Sequence, residues 1–308
     1  MALCDSSVEF FVRRNNYNDL NAMTPAKRFA KKFRLELEAL DLEIKTDDEI
    51  IGWFKFENER SDDVVFDDEK TDGHTRNVMD MPESFGSKTN VDKGHTLVDY
   101  GFILNNGLAA YEKRIDEEVK KYPDNEYLAA MKSTMHSIKE FLSRMVSVID
   151  EKIVRCDSDN KKLYVMRDML KKVPYYPAGT FREAVQSVWI IHFLLPLAEN
   201  AWYSISLGKF DEYMYPFYVN SLKNGMTVTD AKKIMRNLYR LLNAYADGAC
   251  MLNIGGVTYN ELAELIIECQ KEFSMPAPIL GARVDKNTPD RIWNILIDEK
   301  LFSMGQPT

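Results

Sequence analysis

The residues of this sequence that could do chemistry are few and widely spaced. Its histidines, His74, His95, His136 and His192, form neither an HxxxH nor an HExxH pair, so no helical zinc site is spelled out. Its cysteines, Cys4, Cys156, Cys250 and Cys269, show no CxxC spacing. That usage suits a reducing cytoplasm and gives no thiolate metal signature. His95 lies in "KGHTLVDY", just after a loop and at the entrance to a helix. It is either a capping or surface histidine or a hydrogen-bonder to a substrate, because imidazole donates or accepts near neutral pH. His192 falls on the apolar stripe of a helix and reads as a core histidine. His136 sits mid-helix with no carboxylate or cysteine placed to help it, and His74 sits in an acidic, solvated loop. Asp211 and Glu212 open a helix, where their charge favours its dipole. "LNIGG" is no phosphate loop, since no GK[ST] follows it.

One stretch is denser. "SISLGKFDEYMYPFY", from Ser204 to Tyr218, follows a long apolar run and mixes small polar, acidic and aromatic residues. It could be a strand entering a buried pocket or an ordinary core segment. The background is a 308-residue chain, 45% hydrophobic and 29% charged, which can bury a sizeable core. Its net charge of -8 argues against nucleic-acid binding. Its longest apolar run, "VWIIHFLLPLA", is too short to span a bilayer, and its first residues lack the order of a signal peptide.

The elements that must position these residues divide the chain in two. Residues 24–44 read as one helix, with Thr24 as N-cap, Pro25 in the first turn and Phe29, Phe33, Leu37 and Leu40 at helical spacing. "DDEIIGWFKF" reads as a short strand or turn, and residues 58–93 as a long surface loop. Helices follow from about Leu97, with a bend near Gly107, then over "NEYLAAMKSTMHSIKEFLSRMVSVIDEKIVRC" and over "KKLYVMRDMLKKV" up to Pro174. "TFREAVQSVWIIHFLLPLAEN" predicts a helix with Thr180 and Glu183 as a capping box. Beyond it, the short strands "SISLG", "ACMLNIGG" and "PAPILGARVD" alternate with helices over "FDEYMYPFYVNSLKNG", "TVTDAKKIMRNLYRLLNAYADG", "YNELAELIIECQKEFS" and "TPDRIWNILIDEKLF". A helical first half and an alternating second half predict an α/β fold, as a barrel or an open sheet.

Taken together, "TFREAVQSVWIIHFLLPLAENAWYSISLGKFDEYMYPFYVNSLKNG", "LNIGG", "PAPILGARVDKNTP", "GQPT", "DDEIIG" and "GHTLVDYGFILNNGL" resemble the glycyl radical enzymes. This is the family of pyruvate formate-lyase and its dehydratase relatives. The resemblance runs from about residue 24 to 308. It implies one pyruvate formate-lyase-like domain, mainly helical over 24–175 and a strand-helix half-barrel over 176–308. That half-barrel would be part of the first half of a ten-stranded α/β barrel. By position, the resemblance makes His95, Tyr203 and Ser204 substrate-binding residues. Histidine at position 95 favours the glycerol and hydroxyproline dehydratase type, with a substrate hydroxyl to be held. Pyruvate formate-lyase itself would pair an arginine there with a carboxylate.

The resemblance also implies a glycyl radical in the full-length family, installed by an S-adenosylmethionine-dependent activating enzyme, with no other cofactor and no metal. The "GC.E"-like and "RV.GY"-like motifs that carry the radical cysteine and glycine do not occur in these 308 residues. Neither residue can therefore be assigned here, and Cys250 reads as a small buried hydrophobe. The expectation is an N-terminal portion of a cytoplasmic glycyl radical lyase, one that performs radical C–C cleavage or dehydration of a small oxygenated metabolite. Its partners would be that substrate, a C-terminal half, the activating enzyme and a second copy of itself, with no nucleic acid and no membrane. The alternative is an inactive remnant or assembly partner that kept the fold without the radical loops.

Overall fold

The computed structural model describes residues 23–56, 97–155, 161–199, 205–245, 250–255, 259–303 and 306–307. Helix α1, Pro25–Glu38, starts with Pro25 in its first turn, where the missing N–H costs nothing. It ends earlier than its periodicity predicts. The Arg144 guanidinium donates to the carbonyls of Leu37, Glu38 and Leu40 and so terminates the ladder. The chain then extends into β1, Leu40–Glu43, which pairs antiparallel with β2, Trp53–Phe56. The single helix expected over 24–44 is thus a helix and a strand.

Helices α2, Tyr100–Asn106, and α3, Leu108–Lys121, are separate because Gly107 takes φ +72 between them. A side chain there would also collide with the backbone of Tyr175 and Tyr176. Helix α4, Glu126–Arg155, buries Met135, Ile138, Phe141, Leu142, Met145 and Ile149 at spacings of three and four. It packs against α1, α3 and α5, Lys161–Lys172.

Helix α6, Phe181–Glu199, is the hub. Its capping box forms as the sequence predicts: Glu183 N–H donates to Thr180 Oγ1, and Thr180 N–H donates to Glu183 Oε2, each at 3.2 Å. Apolar residues on every side of α6 are buried, among them Val185, Trp189, Ile190 and Phe193. Every residue from Ala184 to Leu194 is buried, Gln186, Ser187 and His192 included, so this stretch has no solvent face, and α6 contacts α1, α2, α7, Phe210–Lys223, and α8, Val228–Tyr245.

The two halves are also sewn together by polar groups. Gln186, on α6, accepts from Ile51 N–H and donates to Ile51 carbonyl, both at 2.7 Å. Asn237, on α8, accepts from the N–H groups of Glu49 and Ile50 at 2.6 and 2.8 Å. The carboxylate of Glu49 pairs with Arg182 at 2.7 Å and with Lys162 at 3.2 Å.

The second half contains a parallel sheet in the order β3, Gly208–Lys209, β4, Met251–Ile254, and β5, Ile279–Ala282. Helices α7 and α8 connect β3 to β4, and α9, Glu261–Phe273, connects β4 to β5. The predicted strands "ACMLNIGG" and "PAPILGARVD" contain β4 and β5, which are neighbours, whereas "SISLG" contributes only its last residue, Gly208, to β3, and its Ser206 instead bridges Leu97. The last predicted helix is two short ones, α10, Asp290–Leu296, and α11, Glu299–Ser303. Gln306 then accepts from Leu280 N–H at 3.1 Å, so the chain returns to β5.

Candidate functional site

The candidate residues His95, Tyr203 and Ser204 lie outside the described residues, as does His74. What the structure describes is the frame beside them. Leu97 and Ser206 form a parallel β-bridge, which brings the segment after His95 against the segment after Ser204. Ser206 ties this point to the sheet, since its Oγ donates to Met251 carbonyl at 3.1 Å and accepts from Gly208 N–H at 3.0 Å. Leu207 N–H also donates to Met251 carbonyl at 2.7 Å, and Ile279 N–H donates to Cys250 carbonyl at 2.7 Å. The amino ends of the strands are thus hydrogen-bonded to one another and bridged to the start of the α2 segment.

Next to this end of the sheet is a buried polar chain. Tyr100 Oη lies 3.2 Å from His192 Nδ1, and His192 Nε2 lies 3.7 Å from Cys250 Sγ. Burial pushes the His192 pKa down to about 4, because a charged imidazole would lose its hydration there. His192 is therefore a satisfied core histidine, as expected, and its neutral form offers one donor and one acceptor. Tyr213 stacks on Tyr100 at 5.7 Å between ring centroids and donates to Leu207 carbonyl at 2.8 Å. Cys250 is buried, as the sequence suggests, yet it is not purely a hydrophobe, because its sulfur faces His192. Cys269, on α9, is also buried, and burial raises its thiol to about 12.

The opposite, carboxyl end of the sheet carries a group whose burial sequence reasoning missed. Asp211 does open α7, but its side chain is fully buried. Gly255 N–H, just beyond β4, donates to Asp211 Oδ2 at 3.2 Å, while Oδ1 has no hydrogen-bond partner among the described residues. Asn260 donates to Asp211 carbonyl at 3.2 Å and caps α9 by accepting from Ala263 N–H at 2.9 Å. Burial raises the Asp211 carboxyl to about 6. The signal in the sequence was its place directly behind a strand, where the first turn of a crossover helix faces the sheet. His136 departs from expectation as well. Glu140, one turn later, lies 3.3 Å from its Nε2, so a carboxylate does accompany it, on an exposed face. Among the described residues, no three histidine, cysteine or acidic side chains converge as a metal site would require.

The pyruvate formate lyase-like family matches residues 38–299, most of the chain and both of its halves. The chain belongs to that family. Among curated relatives it is 22% identical over 244 residues to trans-4-hydroxy-L-proline dehydratase of Clostridioides difficile, covering 70% of this chain and 30% of the relative. It is 28% identical over 158 residues to isethionate sulfite-lyase of Nitratidesulfovibrio vulgaris, covering 44% of this chain and 19% of the relative. Among solved structures it matches a 1,2-propanediol dehydration enzyme of Roseburia inulinivorans with a TM-score of 0.74 at 20% identity. That match covers 94% of this chain and 45% of the other. The glycerol-bound, B12-independent glycerol dehydratase of Clostridium butyricum matches with a TM-score of 0.73 at 19% identity, over 91% of this chain and 45% of the other. The chain therefore spans less than half the length of these relatives, and its fold is that of a pyruvate formate lyase-like α/β barrel enzyme over the part it shares. No helix among the described residues is long and apolar enough to cross a membrane.

Proposed function

We propose that this chain forms one wall of the substrate cavity of a glycyl radical lyase or dehydratase. In this reading His95, Tyr203 and Ser204 face a small hydroxylated metabolite. The observation that carries the reading is the parallel bridge between Leu97 and Ser206. That bridge joins the residue two positions after His95 to the residue two positions after Ser204. Chain connectivity alone keeps the Cα atoms of His95 and Ser204 within about 20 Å of each other. An imidazole and a hydroxyl on adjoining segments suit a substrate hydroxyl, since each can donate or accept. The named substrates of several relatives, trans-4-hydroxy-L-proline, isethionate, glycerol and 1,2-propanediol, all carry a hydroxyl group.

The radical chemistry of such an enzyme has two parts: a glycine that stores the radical and a cysteine that takes hydrogen from the substrate. The sequence motifs for both are missing from these 308 residues. The proposed contribution of these residues is accordingly to bind and orient the substrate, while the radical centres would lie in sequence outside these 308 residues.

The test is titration of the purified chain with trans-4-hydroxy-L-proline, glycerol, propane-1,2-diol and isethionate, read on the imidazole signals of isotope-labelled His95. At least one compound should produce a saturable shift that Ser204→Ala abolishes. No shift with any of them, or a shift indifferent to Ser204→Ala, would overturn the cavity reading. It would favour a scaffold or assembly partner instead.

A further inference from the structure

Three polar side chains from three elements are buried together close to the Leu97–Ser206 bridge. Tyr100 opens α2 three residues after Leu97, His192 comes from the middle of α6, and Cys250 immediately precedes β4. Each is at most 3% exposed, so bulk water does not reach them and their polar atoms find partners within the protein. Both ring nitrogens of His192 are engaged, one by the Tyr100 phenol and the other by the Cys250 sulfur. A neutral imidazole can serve both only in a directional chain. Either the phenol donates to Nδ1 and Nε2–H points at sulfur, or the thiol donates to Nε2 and Nδ1–H points at the phenol.

The two partners of His192 lie on the two sides of the bridge. Tyr100 fixes the beginning of α2 and hence the segment that carries Leu97. Cys250 stands at the amino end of β4, and the carbonyl of its neighbour Met251 holds both Leu207 N–H and Ser206 Oγ. We propose that His192 is a positioning residue, which through Tyr100 and Cys250 fixes the segment after His95 against the first turn of chain into β3. Its relevance to substrate rests on the cavity reading above, but its geometry does not. A residue that merely filled the core would need neither bond, and leucine or phenylalanine would serve at its place. Tyr213 supplies a second tie, by stacking on Tyr100 and bonding Leu207 carbonyl. Loss of the His192 chain should therefore loosen this corner without unfolding the molecule.

Amide hydrogen exchange of the full chain separates the two roles without any ligand. The reporting amides are Phe102 and Ile103, which bond to Asp99 at the start of α2, and Leu207. The reference amides are those of Met145 and Ile149 in the core of α4. Tyr100→Phe deletes one hydroxyl and leaves no cavity, so it tests the proposal even if His192→Phe folds poorly. Tyr100→Phe should speed exchange at the reporting amides about 3- to 10-fold, the loss expected for one net hydrogen bond, and His192→Phe, which also removes the Cys250 contact, at least as much, with the reference amides unchanged in both. The double variant should be no worse than the worse single one, because both remove the same bond. Equal acceleration at all amides, or none at the reporting ones, would overturn the proposal. Because no ligand is present, that failure leaves the titration of His95 as a separate test.

Discussion

Replacing Gln186 by leucine removes a clasp between the two halves of the chain while nearly preserving volume. In the structure the Gln186 amide both accepts from and donates to the backbone of Ile51, at 2.7 Å in each direction, and both residues are buried. Leucine would leave one N–H and one carbonyl orphaned. Each buried orphan costs about 1–3 kcal/mol, so the variant should lose about 2–6 kcal/mol. The assay is urea denaturation followed by tryptophan fluorescence, with Trp53 and Trp189 on either side of the clasp. The midpoint should fall with little change in slope. A loss below about 0.5 kcal/mol, the range of a neutral surface change, would refute the reasoning that Gln186 joins the halves.

The other predictions concern packing, proton linkage and radical chemistry. Gly52→Ala should cost about 1–3 kcal/mol in the same urea assay, because a Cβ there would overlap the buried Trp189 indole. A variant as stable as the parent would contradict that contact. Burial raises the Asp211 carboxyl in the folded state to about 6, above the value of about 4 expected when unfolded. The unfolded chain therefore ionises first, and this group lowers stability as pH rises from about 4 to 6. Asp211→Asn should remove that loss, so its stability relative to the parent should increase between pH 4.5 and 7; a difference independent of pH would count against the burial argument. The 308-residue chain treated anaerobically with a radical-activating enzyme and S-adenosylmethionine should give no glycyl radical doublet by electron paramagnetic resonance. Appearance of the doublet would mean that a glycine outside the expected motif carries the radical.

Legibility in the sequence followed the range of the interaction. The capping box of Thr180 and Glu183 is local, and its residue types and spacing are enough to name it. The strand assignments over 250–254 and 279–282 were legible because short apolar runs flanked by glycine and proline have few other uses. Long-range partners were not. Arg144 ends α1 from over a hundred residues away, so periodicity alone carried the helix through Leu40. The motifs "DDEIIG" and "FREAVQ" were separate pieces of the resemblance, and only the structure shows that they bind each other through Ile51 and Gln186. The burial of Asp211 was hidden for the same reason, since a helix-opening acid looks alike whether solvent or Gly255 faces it. His192 was readable as buried from its apolar stripe, but its partners on α2 and before β4 were not.

The central claim is that the segments carrying His95 and Ser204 adjoin as two sides of one cavity wall. Disulfide trapping tests this most directly, with His95→Cys and Ser204→Cys combined in a chain whose Cys250 and Cys269 stay buried and whose Cys4 and Cys156 are replaced by serine. A disulfide needs Cα atoms about 4.4–6.8 Å apart, the spacing of neighbouring strands in register. The account predicts that mild oxidation closes this bond in the folded chain and that trans-4-hydroxy-L-proline or glycerol slows its closure. A pair that stays reduced in the folded chain would contradict the account.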